Sequence, residues 1–185
     1  MKSIRRILRI WLDKWHIAPI INPDCHYRLG EGVREMASVF DVAKYILTNS
    51  CEMTAMKLQK LVYYAQAWHL VWDEEPLFSE AIEAWANGPV VRPLYEAHRG
   101  KFKLSAADFA HLGNTRNLSK SQKETISGVL DFYGGKTAQW LSDLTHMEDP
   151  WKETRKEAGL AEGVRGSAVI SHSSMHEYYS SLQRK

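Results

Sequence analysis

Six histidines in the body of the chain, His69, His98, His111, His146, His172 and His176, are the first residues to weigh for metal or acid–base chemistry. None stands in a paired arrangement such as His-Glu-x-x-His, which sets two imidazoles on one helix face around a metal ion. His146, followed by Glu148, Asp149 and Trp151, reads as a helix-end histidine whose ring is satisfied by a backbone group or a carboxylate. Cys51 precedes a helix start, where the helix dipole lowers a thiol pKa, but no base is spaced to serve it. No serine sits in a strand-to-helix nucleophile elbow. The glycines Gly159, Gly163 and Gly166 lack the Lys-Ser/Thr ending of a phosphate-cradling loop. These residue types make a weak case for an enzyme and supply no motif for a metal or cofactor. Lys57 and Lys60 share one helix face, and Arg99, Lys101 and Lys103 cluster after the next helix. Such cations suit DNA phosphates, an acidic protein surface, or plain solvation.

Charge favours solvation. Residues 1–35 carry seven Lys/Arg against four Asp/Glu, whereas residues 36–185 carry seventeen against eighteen. The body lacks the basic excess of a nucleic-acid binder. With 185 residues, 44% hydrophobic and seven tryptophans, the chain suffices for one well-cored domain. Two distant cysteines, Cys25 and Cys51, argue against a disulfide scaffold or a Cys-rich zinc site and point to the cytoplasm. No run reaches the length of a membrane span.

The leader, 1–35, places Ile4, Ile7, Leu8, Trp11 and Trp15 on one helical stripe flanked by arginines, then breaks at Pro19, Pro23 and Gly30. It reads as an amphipathic appendage, or as sequence upstream of a true start at Met36. The codons for Glu31-Gly32-Val33 accommodate a ribosome-binding site just before that methionine.

The body, 36–185, reads as mainly α. Val39–Leu47 has helical period. Thr54 caps a helix through Trp72 with a stripe of Leu58, Leu61, Val62, Ala65, Trp68, His69 and Trp72, and Tyr63 and Tyr64 widen it. Asp73 to Pro76 forms a turn, and a small β-hairpin or extended arm follows near residues 77–86. Gly88 frees the backbone and Pro89 begins a helix to about His98. Ser105 caps a short helix, Ser119 with Gln122 forms a capping box for Lys120–Tyr133, and Thr137 caps the next. Pro150 starts a helix carrying Trp151. Val169-Ile170 reads as a short strand before a last helix bearing Met175, Tyr178, Tyr179 and Leu182.

One block carries a resemblance. Lys57-Leu58-Gln59-Lys60-Leu61-Val62-Tyr63-Tyr64-Ala65-Gln66-Ala67-Trp68-His69, then Pro76-Leu77-Phe78, then Glu83-Ala84-Trp85-Ala86-Asn87-Gly88-Pro89-Val90-Val91 with Leu94-Tyr95, closely resembles the Panacea domain of SocA-like antitoxins. Members of that family are also described as phage-associated GepA-type proteins. Val39 to Leu47 fits its first helix, and His146 with Pro150-Trp151 fits its later element. Ala67 and Glu75 stand where the family commonly has glycine.

The resemblance implies a non-enzymatic antitoxin that binds and neutralises a cognate protein toxin. It also implies a variant in which the domain acts as an adaptor delivering the toxin to a ClpXP-type protease. The candidate partner-binding residues are Tyr63, Tyr64, Trp68, Trp85, Gly88, Pro89, Val90, Val91 and Trp151. Trp85 and the Gly-Pro-Val-Val run offer an aromatic anchor and open backbone groups, or else core filling and a turn. Tyr63, Tyr64, Trp68 and Trp72 form either a docking stripe or core. The alternative class is a DNA-binding regulator of a phage or mobile-element operon, with the Met53–Trp72 helix as recognition helix, against which its apolar content speaks.

Overall fold

The computed structural model describes residues 36–183, so the leader, 1–35, lies outside the described residues. Seven α-helices and two small antiparallel ladders make up the described chain. The first helix, α1 (Val39–Thr48), starts with a reciprocal cap. The Ser38 hydroxyl accepts from the Asp41 N–H, and the Asp41 carboxylate accepts from the Ser38 N–H. A two-residue strand β1 (Met53–Thr54) leads into α2 (Ala55–Trp72), whose first turn is capped by the Thr54 hydroxyl accepting from the Lys57 N–H at 3.2 Å.

Every residue of α2 from Leu58 to Leu70 is buried. The helix is packed on all sides by α1, α4 (Lys120–Tyr133), α5 (Ala138–Met147), α7 (His172–Gln183) and the hairpin described next. Such enclosure explains why polar residues off the apolar stripe are buried too: the helix has no solvent face to give them. Lys60 is 1% exposed and Gln66 fully buried, so the expectation of a solvated face at Lys57 and Lys60 fails. Lys57 donates to the Gly134 carbonyl at 2.6 Å, closing the end of α4.

The hairpin pairs β2 (Ile82–Trp85) with β3 (Gly88–Val91) in the register Ile82↔Val91 to Trp85↔Gly88. The expected β element near 77–86 is therefore shifted toward the C-terminus, and Pro89 lies in a strand. The helix expected from Pro89 begins at Arg92, as α3 (Arg92–His98), with Pro93 in its first turn. The reason is local. Gly88 has φ +98°, which ends the Ala86-Asn87 turn, and two β-branched valines follow in extended backbone. Proline brings no N–H, and its partner Ala84 needs none: the Ala84 carbonyl accepts from Arg155 Nη1 at 2.9 Å and its N–H donates to the Ala168 carbonyl at 2.8 Å. A bridge between Glu83 and Val169 lies on the same edge, where a short strand was expected.

β4 (Lys103–Leu104), which the sequence did not suggest, pairs with β1. A 3₁₀ turn (Ala106–Phe109) follows, and α6 (Asp149–Glu157) joins α5 to the final connection. Tyr179 of α7 is fully buried against Tyr63 and Tyr64 of α2, with edge-on rings 6.2 Å apart in both pairs. Glu148 sits beneath them and its Oε2 accepts from Tyr179 at 2.7 Å and Tyr64 at 3.1 Å. Burial pushes its carboxyl up to about 8 against the pull of those two hydroxyls.

Candidate partner-binding groove

The hairpin is held by side chains that occupy its backbone polar groups. Gln59 Oε1 accepts from the Val91 N–H at 2.9 Å, and Gln59 Nε2 donates to the Val91 carbonyl at 3.4 Å. Lys60 Nζ donates to the carbonyls of Asn87 at 2.7 Å and Pro89 at 3.1 Å. Ser142 of α5 adds a second hydrogen bond to Asn87 O. From α6, the Trp151 indole donates to Trp85 O at 2.9 Å and Arg155 Nη1 donates to Ala84 O at 2.9 Å. Arg155 is 3% exposed and its other donors go to the carbonyls of Ala161 and Val164, which ties the last connection to the hairpin. Buried polar groups are costly unless paired, so these contacts fix the hairpin as one rigid unit with α2, α5 and α6.

Among the described residues Lys60 has no carboxylate partner, and desolvation lowers its pKa to about 7. A Cβ on Gly88 would come 2.5 Å from Lys60 Nζ and 2.8 Å from the Thr145 hydroxyl, so glycine is required here by space as well as by φ.

Above this floor opens a cleft of about 950 Å³, lined by Met56, Trp85, Val90, Arg92, Tyr95 and Arg99 among others, with Arg165 and Ser167 of the last connection. Trp85 is half-buried at its side. The indole N–H donates to Glu83 Oε2 at 2.7 Å, the ring meets Tyr95 edge-on at 5.0 Å, and the Arg92 guanidinium lies 5.5 Å from the ring centroid. Arg92 also grips Glu83 with two hydrogen bonds of 2.8 Å. Burial pushes the Glu83 carboxyl up, but hydrogen bonds from Arg92 and Trp85 outweigh it and hold the group below its ordinary value. His98 lies under the cleft, its pKa lowered by burial. The amide N–H₂ of Gln59 donates to His98 Nε2 at 3.3 Å, which sets the ring's proton on Nδ1.

The nine sequence-predicted residues divide sharply. Tyr63 and Tyr64 are fully buried and Trp68 is 3% exposed, its indole donating to the Tyr133 hydroxyl at 3.2 Å. These three are core and reach no surface groove. Gly88, Pro89 and Val91 are buried in the hairpin, and Trp151 packs beneath it, stacked on His146 at 4.1 Å. Trp85 and Val90 line the cleft. The open backbone groups expected of the Gly-Pro-Val-Val run are taken: the Val91 N–H and the Pro89 and Val91 carbonyls are held by α2, so what remains for recognition is side chains. His146 also departs from expectation. No backbone group or carboxylate satisfies its buried Nε2; its ring lies on Trp151 instead. The cations after α3 are paired as well, Arg99 with Glu96 at 3.7 Å, Lys101 with Asp108 at 2.6 Å and Lys103 with Glu52 at 3.9 Å. Among the described residues, no cluster of three His, Cys, Asp or Glu side chains is placed to hold a metal ion. No described helix is long and apolar enough to cross a membrane.

Residues 58–152 match the family model described as "Antitoxin SocA-like, Panacea domain". The chain belongs to this family. The Panacea match runs from the start of the buried part of α2 to the second turn of α6, and so contains the hairpin and every side chain that holds it except Arg155. The second cleft wall, with Arg165 and Ser167, lies beyond the matched Panacea segment. No curated protein and no solved structure gives a significant match.

Sequence reasoning missed Gln59, Gln66, Lys60 and Arg155 as organising residues, and Arg92, Tyr95 and Arg165 as cleft walls. The available signal was polar residues inside a helix too apolar to have a wet face: Gln59, Lys60 and Gln66 interrupt a run that is otherwise buried.

Proposed function

We propose that this protein is the antitoxin of a toxin–antitoxin pair and acts by binding a cognate protein toxin, with no bond made or broken by its own side chains. Membership of the Panacea family supports the role. The observation that carries the binding site is the partly exposed Trp85 indole, held at the cleft on the hairpin of the family's own sequence block. A rigidly held aromatic beside arginines loses little conformational entropy on binding and is the usual composition of an interface hot spot. Binding at the cleft covers the toxin surface directly. Delivery of the toxin to a ClpXP-type protease is the finer variant, and the cytoplasm is the setting for both.

The test is co-expression with the protein encoded beside this gene. Wild type should restore growth when that neighbour is toxic alone. Trp85→Ala should lose the rescue while keeping a cooperative thermal transition. Rescue by wild type that survives Trp85→Ala intact would remove the cleft from the mechanism. A toxin half-life shortened by the antitoxin only when the protease is present identifies delivery; an unchanged half-life identifies masking.

A further inference from the structure

The cleft's walls contain three arginines, Arg92, Arg99 and Arg165, and no aspartate or glutamate. Their charges are not equally free. Arg92 is spent on Glu83 in a two-bond grip. Arg99 meets Glu96 only at 3.7 Å, with both side chains at least half exposed, an arrangement worth little in water. Arg165 is exposed and pairs with no carboxylate among the described residues. Two guanidinium groups thus line one cleft, Arg165 without a carboxylate partner among the described residues and Arg99 in a weak, solvent-exposed ion pair. The apolar part of the same surface is unusually open. Met56 lines the cleft at 40% exposure, beside the partly exposed Trp85. A partly exposed indole and an exposed thioether beside arginines that are weakly paired or free mark a surface suited to a partner. The hairpin edge is closed by Gln59, Lys60 and Pro89, so an added strand is not the mode of contact.

Resting on the antitoxin reading, we propose that the cleft takes an acidic peptide segment of the protein partner, its carboxylates meeting Arg99 and Arg165 and an apolar side chain packing between Trp85 and Met56. Guanidinium groups favour carboxylates in bidentate pairs, and an apolar side chain seated between Trp85 and Met56 would exclude water beside that pairing as the segment binds. The Glu83–Arg92 pair then acts as a fixed frame that orients Trp85.

Random twelve-residue peptides displayed on phage and selected on the immobilised full chain provide the test. Selected peptides should place Asp or Glu around an aromatic or large aliphatic residue. A fluorescein-labelled peptide of that composition should bind at least about tenfold more weakly to the double variant Arg99→Glu/Arg165→Glu, and more weakly in high salt, while its lysine-substituted counterpart should not bind. Both substituted side chains are exposed, so the variant should melt as wild type does. Selection of neutral or basic peptides, or affinity unmoved by the double reversal, overturns the proposal. So does stronger competition by ATP or by a single-stranded oligonucleotide than by the acidic peptide. Growth rescue separates the two claims. If wild type rescues and the double variant rescues equally, the acidic-segment proposal fails and the antitoxin reading stands; if wild type never rescues, the antitoxin reading itself fails.

Discussion

Gln59 and Gln66, two turns apart on α2, hold two different segments by the same pattern. Each Oε1 accepts backbone N–H groups, from Val91 for Gln59 and from Leu77 and Phe78 for Gln66. Each Nε2 donates to a backbone carbonyl, of Val91 and of Phe78, and to the Nε2 of a histidine, His98 and His172. A primary amide presents a donor and an acceptor side by side, so it pairs with an extended backbone as a neighbouring strand would. The Pro-Leu-Phe and Gly-Pro-Val-Val segments are thus registered on one helix, which accounts for why the family block is an ordered series of short pieces.

Removing either clamp should be costly and local. Gln59→Leu or Gln66→Leu leaves buried backbone groups unpaired, at about 1–3 kcal/mol for each orphaned group. Denaturant midpoints should fall in both. Amide hydrogen exchange should accelerate at Val91 in the first and at Leu77 and Phe78 in the second. Equal acceleration at both sites in either variant would mean that the clamps do not act separately.

Gly88→Ala should destabilise more than an ordinary surface change. The backbone there has φ +98°, and the new methyl would meet Lys60 Nζ at 2.5 Å. A loss of about 2 kcal/mol or more is expected, of which Lys60→Ala in the same chain recovers only the steric part. Thermal melts of the single and double variants check this. A Gly88→Ala protein as stable as wild type would show that the hairpin turn relaxes.

Most of the helical frame was readable because its signals are local. Thr54, Ser119 and Thr137 each cap the helix that follows, and the period of apolar residues runs on from there. The hairpin was legible in kind and displaced in position, since Gly-Pro opens a helix as often as it ends a turn, and only the contacts of Pro89 decide. The cleft was scarcely legible. Trp85 signals an anchor, but Arg165 reaches it from a connection eighty residues further along the chain, and nothing in the spacing announces that approach. The polar floor was hidden for the opposite reason. Lys60 and Gln66 look solvated on a helical wheel, and become buried because four other helices and a hairpin enclose α2.

Two buried ionisable groups give stability an unusual pH dependence. Glu148 titrates near 8 when folded and near 4.5 when unfolded, so between those values the folded state holds the extra proton and stability falls as pH rises. Lys60 titrates near 7 folded and near 10.5 unfolded, so across that window the unfolded state holds the extra proton and stability rises with pH. Together they place a trough at about pH 7–8. Denaturant titrations across pH should find it in wild type. Glu148→Gln should abolish the falling limb and Lys60→Met the rising one. Slopes unchanged in both variants would assign the pH dependence to other groups.

Trp151 supports Trp85 without entering the cleft lining. Its indole N–H donates to the carbonyl of Trp85, while its ring stacks on His146 and has the Arg155 guanidinium 5.2 Å from its centroid. Trp151→Phe keeps an aromatic ring against those two neighbours, removes the donor with part of the ring volume, and leaves the Trp85 carbonyl without this partner. The lost bond costs about 1 kcal/mol of stability. Its effect on partner binding acts through the position of the strand that carries Trp85, so it should appear as a faster dissociation rate with an unchanged association rate. Trp151→Ala adds a cavity costing about 3–5 kcal/mol and should unfold at markedly lower temperature. Surface plasmon resonance against the partner, beside thermal melts of both variants, separates the two effects. If Trp151→Phe binds and dissociates as wild type does, the carbonyl contact contributes to folding alone and Trp85 holds its place through Glu83, Arg92 and Tyr95.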